Sequence, residues 1–395
     1  MTAVALRRWA PELTTHADPE TGATVRQLTS YKGHSHHFYF TNPGWHAGGT
    51  RLLFGADRGN RTNLFSVHLG SGEIDQLTDL DMPPPPGETS FLFACVNPKR
   101  EEAYFWHGRR LLAVDLGSGD LRELWHAPDG FFTNMLNCTA DGQYVCTGIY
   151  EDLSHKFKVD LLHGYVGFRE YAAAHPLSKV VRVATDGSGA EAMVEENEWI
   201  GHVNTSPTQP HLMTYCHEGP WQDVDNRIWG LDLTTRRTWK IRPRTQPGER
   251  IGHEYWFADG IHVGYHGSHP ASPDGAPGTH LYGAVRYDDT ERVEAPLTGS
   301  SRHFHSNDLS LVVGDGTPQH AAIVLWRHDP VRQRFDGPRT LCTHRGSWHI
   351  QAVHVHPRFS PGGRHVLYTA DPNGYGNLYL AEVPEFDSLP AAAMR

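Results

Sequence analysis

One grammar recurs along this chain: a turn rich in Gly, Pro, Ser or Asn, a β-rich run, a polar loop, and a second β-rich run. The clearest copies are FYFTNPGWHAGGTRLLFGADRGNRTNLFSVHLGSGEIDQLTD near the N-terminus and FSPGGRHVLYTADPNGYGNLYLAEV near the C-terminus. Weaker copies begin at NPKREEAYFWHG, TADGQYVCTGIYE, SPTQPHLMTYCHEG, ADGIHVGYHGSH and LSLVVGDGTPQH, making seven units spaced by roughly fifty residues. That period is too long for a single strand and suits a four-stranded unit. The expected fold is therefore all-β, a seven-bladed β-propeller forming one domain over residues 1–395. Residues 22–29 (GATVRQLT) read as a strand without a blade of its own, predicted to close the ring onto the last blade. The third unit carries an expected insertion at about 151–198, with a short helix at GFREYAAAHP, and Pro83 to Pro86 are expected to form a rigid loop.

The turn after the first strand of each unit serves as a ruler for the 28 histidines. Four residues before Ser360, Ser206, Phe257, Thr41 and Asn307 stand His356, His202, His253, His37 and His303. Phe93 and Met135 hold that place in the other two units. First strands line the central channel of a propeller, so five histidines in register form a ring around its axis. A lone histidine is most simply a hydrogen-bonded core imidazole. Five in register, joined by His36, His305 and His354, point to an active site.

Within that ring, Gln351-Ala-Val-His354-Val-His356 offers three metal ligands in six residues. Residues two apart on an extended chain face the same side, which suits two neutral imidazoles to one divalent transition metal. Gln351 has the opposite parity and must come from a turn or bulge. Zinc takes such ligands, but so do manganese, iron, nickel and cobalt, and residue type does not rank them.

The remaining composition narrows the partners. A formal charge of −10 speaks against nucleic acid or an anionic membrane, and no stretch is long and apolar enough for a membrane span. Five cysteines without a C-x-x-C pairing read as reduced thiols, and no apolar leader precedes the first unit, so the expected location is cytoplasmic. A small acidic substrate fits only where a metal or local cations offset the overall charge. Oligomeric state is not legible.

The motifs HSHHFYFTN, GHVNTSPTQP, CHEGPWQDVDNRIW, GHEYWFADG, HFHSND, VVGDG and QAVHVHPRFSP together resemble the oligogalacturonate lyases over nearly the whole chain. The resemblance implies a cytoplasmic propeller that splits short pectic fragments by β-elimination, with Mn2+ held by three histidines and a glutamine. Gln351, His354 and His356 match three of those positions; the fourth falls in HFHSND, where the ring offset favours His303, with His305 as second choice. The family's Brønsted base matches His253, and its substrate-facing arginine matches Arg227. His202, His217 and His37 are further candidates for substrate contact. Two other readings stand beside this one: the same elimination on a different uronate-containing oligosaccharide, and a non-catalytic propeller serving as a binding platform. Unsaturated product from a uronate substrate separates the last from the others.

Overall fold

The computed structural model describes residues 6–82, 91–161, 164–271 and 277–394. The loop expected at Pro83 to Pro86 lies outside these residues. Seven antiparallel sheets follow one another around an axis. Blades 2 to 6 each take four consecutive strands; blade 3, for example, is built from Phe131–Cys138, Tyr144–Glu151, Leu177–Ala184 and Ala190–Asn197. Middle strands are covered on both faces by neighbouring blades, so they read as unbroken apolar runs: Arg51–Arg58 buries seven of its eight residues. Outer strands meet solvent and bury little, as in Ala190–Asn197, where Met193 alone is buried.

The ring is joined by both ends of the chain. Blade 7 takes Arg358–Phe359, His365–Ala370 and Asn377–Glu382 from the C-terminus, then Thr24–Gln27 and Thr14–Ala17 from the N-terminus. Val25 pairs with Ala381 and Gln27 with Tyr379. Arg7–Trp9 then adds an outer strand to blade 1 through Ile74–Gln76.

The segment read from sequence as one insertion divides in two. Residues 177–197 supply the third and fourth strands of blade 3, and only 152–176 are inserted. The outermost strand carries three glutamates and buries only Met193, which hid it among loop residues. The insertion holds the helix Phe168–Ala173, entered through Gly167 at φ 79°. Tyr171 anchors it, buried against Trp199 with ring centroids 4.9 Å apart.

Three innermost strands carry the same irregularity. In blades 3, 4 and 5 the register shifts by one residue between Thr133 and Leu136, Ile200 and Val203, and Gly252 and Tyr255. Each is a β-bulge, which frees one residue from pairing and re-aims its side chain. Met135, His202 and His253 fall inside these bulges, so in blades 3 to 5 the offset read from sequence marks one backbone feature.

Candidate active site

Two of the bulged positions depend on a preceding glycine. A Cβ on Gly252 would stand 2.5 Å from the Trp221 ring, and one on Gly201 would stand 2.6 Å from a Glu218 oxygen. The absent side chains let Trp221 and Glu218 close over the strands. His253 then turns inward at φ 52°, in the left-handed region that a branched or bulky residue avoids. Its ring stacks on His303 (centroids 5.1 Å) and meets the Trp221 edge at 4.9 Å.

His303, His354 and His356 form a buried cluster in which one nitrogen from each lies within 4.8 Å of the others. His354 and His356 do not belong to a strand: Gln351–Val353 is a 3-10 turn, His356 sits at φ 45°, and pairing begins only at Arg358. Convergence is produced by this tight turn, and the alternation expected of an extended segment does not apply.

Hydrogen bonds select which nitrogen each imidazole presents. Asp315 Oδ2 accepts from His303 Nδ1 at 2.7 Å, leaving Nε2 for the cluster. His354 Nε2 donates to the Trp348 carbonyl at 3.2 Å, while its Nδ1 is buried without a partner. Among the described residues His356 Nε2 and Gln351 Oε1 are also buried without partners; Gln351 Nε2 donates to the Tyr165 hydroxyl at 2.9 Å. Buried acceptors left unpaired cost on the order of 1–3 kcal/mol each, so a cluster of them marks a place built for a missing electrophile. Burial pushes His354 down to about 3 and His356 well below the usual imidazole range, which keeps both neutral. Three imidazoles and an amide oxygen suit a divalent transition metal.

Beside this cluster opens a cavity of about 290 Å³. Its lining combines the polar His202, Glu218, Arg227, His253 and Gln351 with the aromatic Tyr39, Phe93, Trp199 and Trp221. Leu161, Tyr165 and Phe168 reach it from the insertion. Burial, reinforced by His266 and His303, pushes His253 well below its usual range, so this imidazole is neutral. Its Nδ1 bonds to His266 Nε2 at 2.9 Å. Arg227 is held from behind: Glu218 engages both terminal nitrogens at 2.7 and 3.2 Å, and Glu254 lies 3.4 Å from Nε. Burial alone raises the Glu254 carboxyl, but Arg227 and His202 more than reverse this and hold it at about 2. His202 Nδ1 stands 3.5 Å from the same carboxylate.

Three sequence-predicted residues lie elsewhere. His305 stacks on Tyr255 (5.1 Å) and accepts from the Phe359 amide, which turns it away from the cluster that His303 joins. His217 does not line the cavity: Asp225 and Glu196 hold its two ring nitrogens at 2.6 and 2.9 Å. His37 is buried beneath His356, its Nε2 donating to the Val355 carbonyl, and it does not line the cavity. Conversely, Asp315, Glu254 and His266 were not assigned from sequence. Asp315 stands in the quoted VVGDG motif and Glu254 follows His253 directly, but neither adjacency reveals a cross-strand hydrogen bond.

No helix among the described residues is long and apolar enough to cross a membrane. Over 94% of its length the chain is 28% identical to the oligogalacturonide lyase of Pectobacterium atrosepticum and covers 96% of it. It is 26% identical to the oligogalacturonate lyase of Dickeya dadantii with the same coverage of both. Its fold matches a solved oligogalacturonate lyase in complex with manganese at TM-score 0.83 and 23% identity, covering 96% of this chain and 98% of that one. The family model of the oligogalacturonate lyases spans residues 7–387, and this chain belongs to that family.

Proposed function

We propose that this lyase cleaves digalacturonate and other short oligogalacturonates by manganese-dependent β-elimination, releasing galacturonate and a 4-deoxy-5-keto uronate. The observation that carries the reading is the convergence of His303, His354, His356 and Gln351, with unpartnered buried acceptors, beside a cavity walled by neutral His253. His303 Nε2, His354 Nδ1, His356 Nε2 and Gln351 Oε1 would hold the cation. Once bound, it supplies a Lewis acid for the uronate carboxylate, offsetting the charge that develops there as the C5 proton leaves.

The chain's own residues do the rest. His253 is the Brønsted base: its Nδ1 is fixed by His266, so Nε2 is the nitrogen that takes the C5 proton. The C5–H electrons form the C4–C5 double bond, the C4–O4 bond breaks, and the leaving sugar oxygen takes a proton from water. The aromatic residues of the lining pack the sugar rings and exclude solvent. Arg227 orients a second carboxylate as a fixed cation braced by Glu218 and Glu254, and His202 contacts the substrate from the same wall. Five unpaired thiols, all buried or half-buried, support a cytoplasmic location.

Digalacturonate assayed for keto-uronate product tests the proposal. Chelation is expected to abolish turnover and Mn2+ to restore it. His253→Ala is expected to keep its metal while turnover falls by roughly 10²–10⁴-fold. Full activity in that variant would remove His253 as the base.

A further inference from the structure

The innermost segments of blades 1 to 5 run from the active-site cavity toward the opposite face of the propeller, so positions two or three residues further on line a second cavity. Where Tyr39, Phe93, Asn134, His202 and His253 border the first cavity, Asn42, Cys95, Asn137, Asn204 and Trp256 border the second, about 140 Å³ in volume. Blade 7 contributes Arg358. The wall is preorganised: Asn42 Nδ2 donates to the carbonyls of Ala94 and Leu136, both at 2.8 Å, and Asn137 Nδ2 donates to Asn42 Oδ1 at 3.0 Å.

The electrostatics of this cavity are unusual for a chain of formal charge −10. None of the residues bordering it is acidic, and Arg358 is its one ionic side chain. A guanidinium has five donors. Among the described residues, Arg358 spends one terminal nitrogen on the Phe40 carbonyl, and its Nε is buried without a partner. The buried arginines all have carboxylate partners, two each for Arg227 and Arg242 and Glu12 for Arg58; Arg358, half-buried with its Nε turned inward, faces none among the described residues. A partly desolvated guanidinium with a buried, unpaired Nε and no counterion is unfavourable, and an anion entering the cavity offsets that cost. Asn204 Oδ1, also buried and unpartnered, adds an acceptor on the same cavity.

We propose that the mouth of the channel opposite the active site is a second binding site, in which Arg358 takes a small oxyanion that also carries a hydroxyl. The shared chemistry is an anionic oxygen for the guanidinium and an O–H for Asn204. Hydrogenphosphate and a hydroxycarboxylate such as a monouronate both offer it. The site is separate from the lyase chemistry and does not depend on it.

Calorimetric titration of the manganese-loaded full chain with inorganic phosphate, and in a second arm with galacturonate, tests this. One of these anions is expected to bind wild type at a site that Arg358→Met removes, lowering the stoichiometry by one, while Arg358→Lys retains binding within about threefold because a cation remains. The arm that responds identifies the source of the anion. Ala140→Glu, a half-buried rim position, puts a carboxylate on the same cavity and is expected to weaken that binding at least tenfold even if Arg358→Met does not fold. Wild type lacking any site sensitive to these substitutions, in both arms, would overturn the proposal.

Discussion

Asp315 illustrates how one residue governs a site it does not enter. It is buried, accepts from the backbone amides of Arg302 and His303 at 2.9 Å each, and fixes the His303 ring through Nδ1. Such carboxylates set the tautomer and angle of a ligating imidazole, and losing one typically weakens metal binding 10- to 100-fold. Asp315→Ala is therefore expected to weaken Mn2+ affinity by about that factor in a calorimetric titration, and unaltered affinity would refute its positioning role. His217 makes a second residue-level prediction. Burial alone lowers its pKa, but Asp225 and Glu196 outweigh this and raise it to about 9. A folded pKa above the unfolded value of about 6.5 stabilises the fold fully below pH 6.5, and that contribution fades as pH rises through about 9. With both carboxylates partly exposed and screened, the contribution is on the order of 2 kcal/mol. Stability measured by denaturant should fall from pH 6.5 to 9 in wild type and less steeply in His217→Gln; parallel curves would refute this. Both residues show where sequence runs out. A histidine in a rich motif reads as functional whether it faces a cavity or an ion pair, and only the partners across the strand decide.

At the scale of the element, the repeat was legible because turn chemistry is local: Gly, Pro and Asn mark chain reversals irrespective of what packs above them. The equal offset of the ring histidines was legible for the same reason. The bulges that hold His202 and His253 were not, since a bulge is a property of two paired strands and one strand's sequence does not hold its partner's register. The outermost strand of blade 3 was lost because a solvent-facing edge carries no apolar alternation to detect. The bulge in blade 5 can be tested directly. Gly252→Ala drives a methyl group into the Trp221 ring, which itself abuts His253. Overpacking of this kind costs about 1–3 kcal/mol. The variant should lose that much stability in chemical denaturation, and turnover should fall by tenfold or more because Trp221 and His253 shift together. Wild-type values of both would mean that the ring moves aside freely and the bulge does not hold the base.

For the whole molecule, the decisive feature is where the ring is sealed. Blade 7 is a composite of the two chain ends, and the inner part of its first strand follows directly on Gln351, His354 and His356. Blade 1 begins with His36 and His37 beside that same seam, His37 reaching the Val355 carbonyl. Metal geometry and ring closure are therefore coupled: the ligands of blade 7 keep their position relative to His303 of blade 6 only while the circle is shut. Deleting residues 1–29 would remove Thr14–Ala17 and Thr24–Gln27, leaving Asn377–Glu382 as an open edge strand with unpaired backbone groups. Deleting only residues 1–10 would remove the outer strand Arg7–Trp9 of blade 1 and leave the seam paired. The longer truncation should aggregate or lower the thermal midpoint by roughly 10 °C or more, and whatever remains folded should bind Mn2+ at least tenfold more weakly. The shorter truncation should shift the midpoint by only a few degrees, with metal affinity unchanged. Equal effects from the two would mean that the N-terminal strands add bulk stability without sealing the ring, and the coupling between closure and the metal ligands would fall.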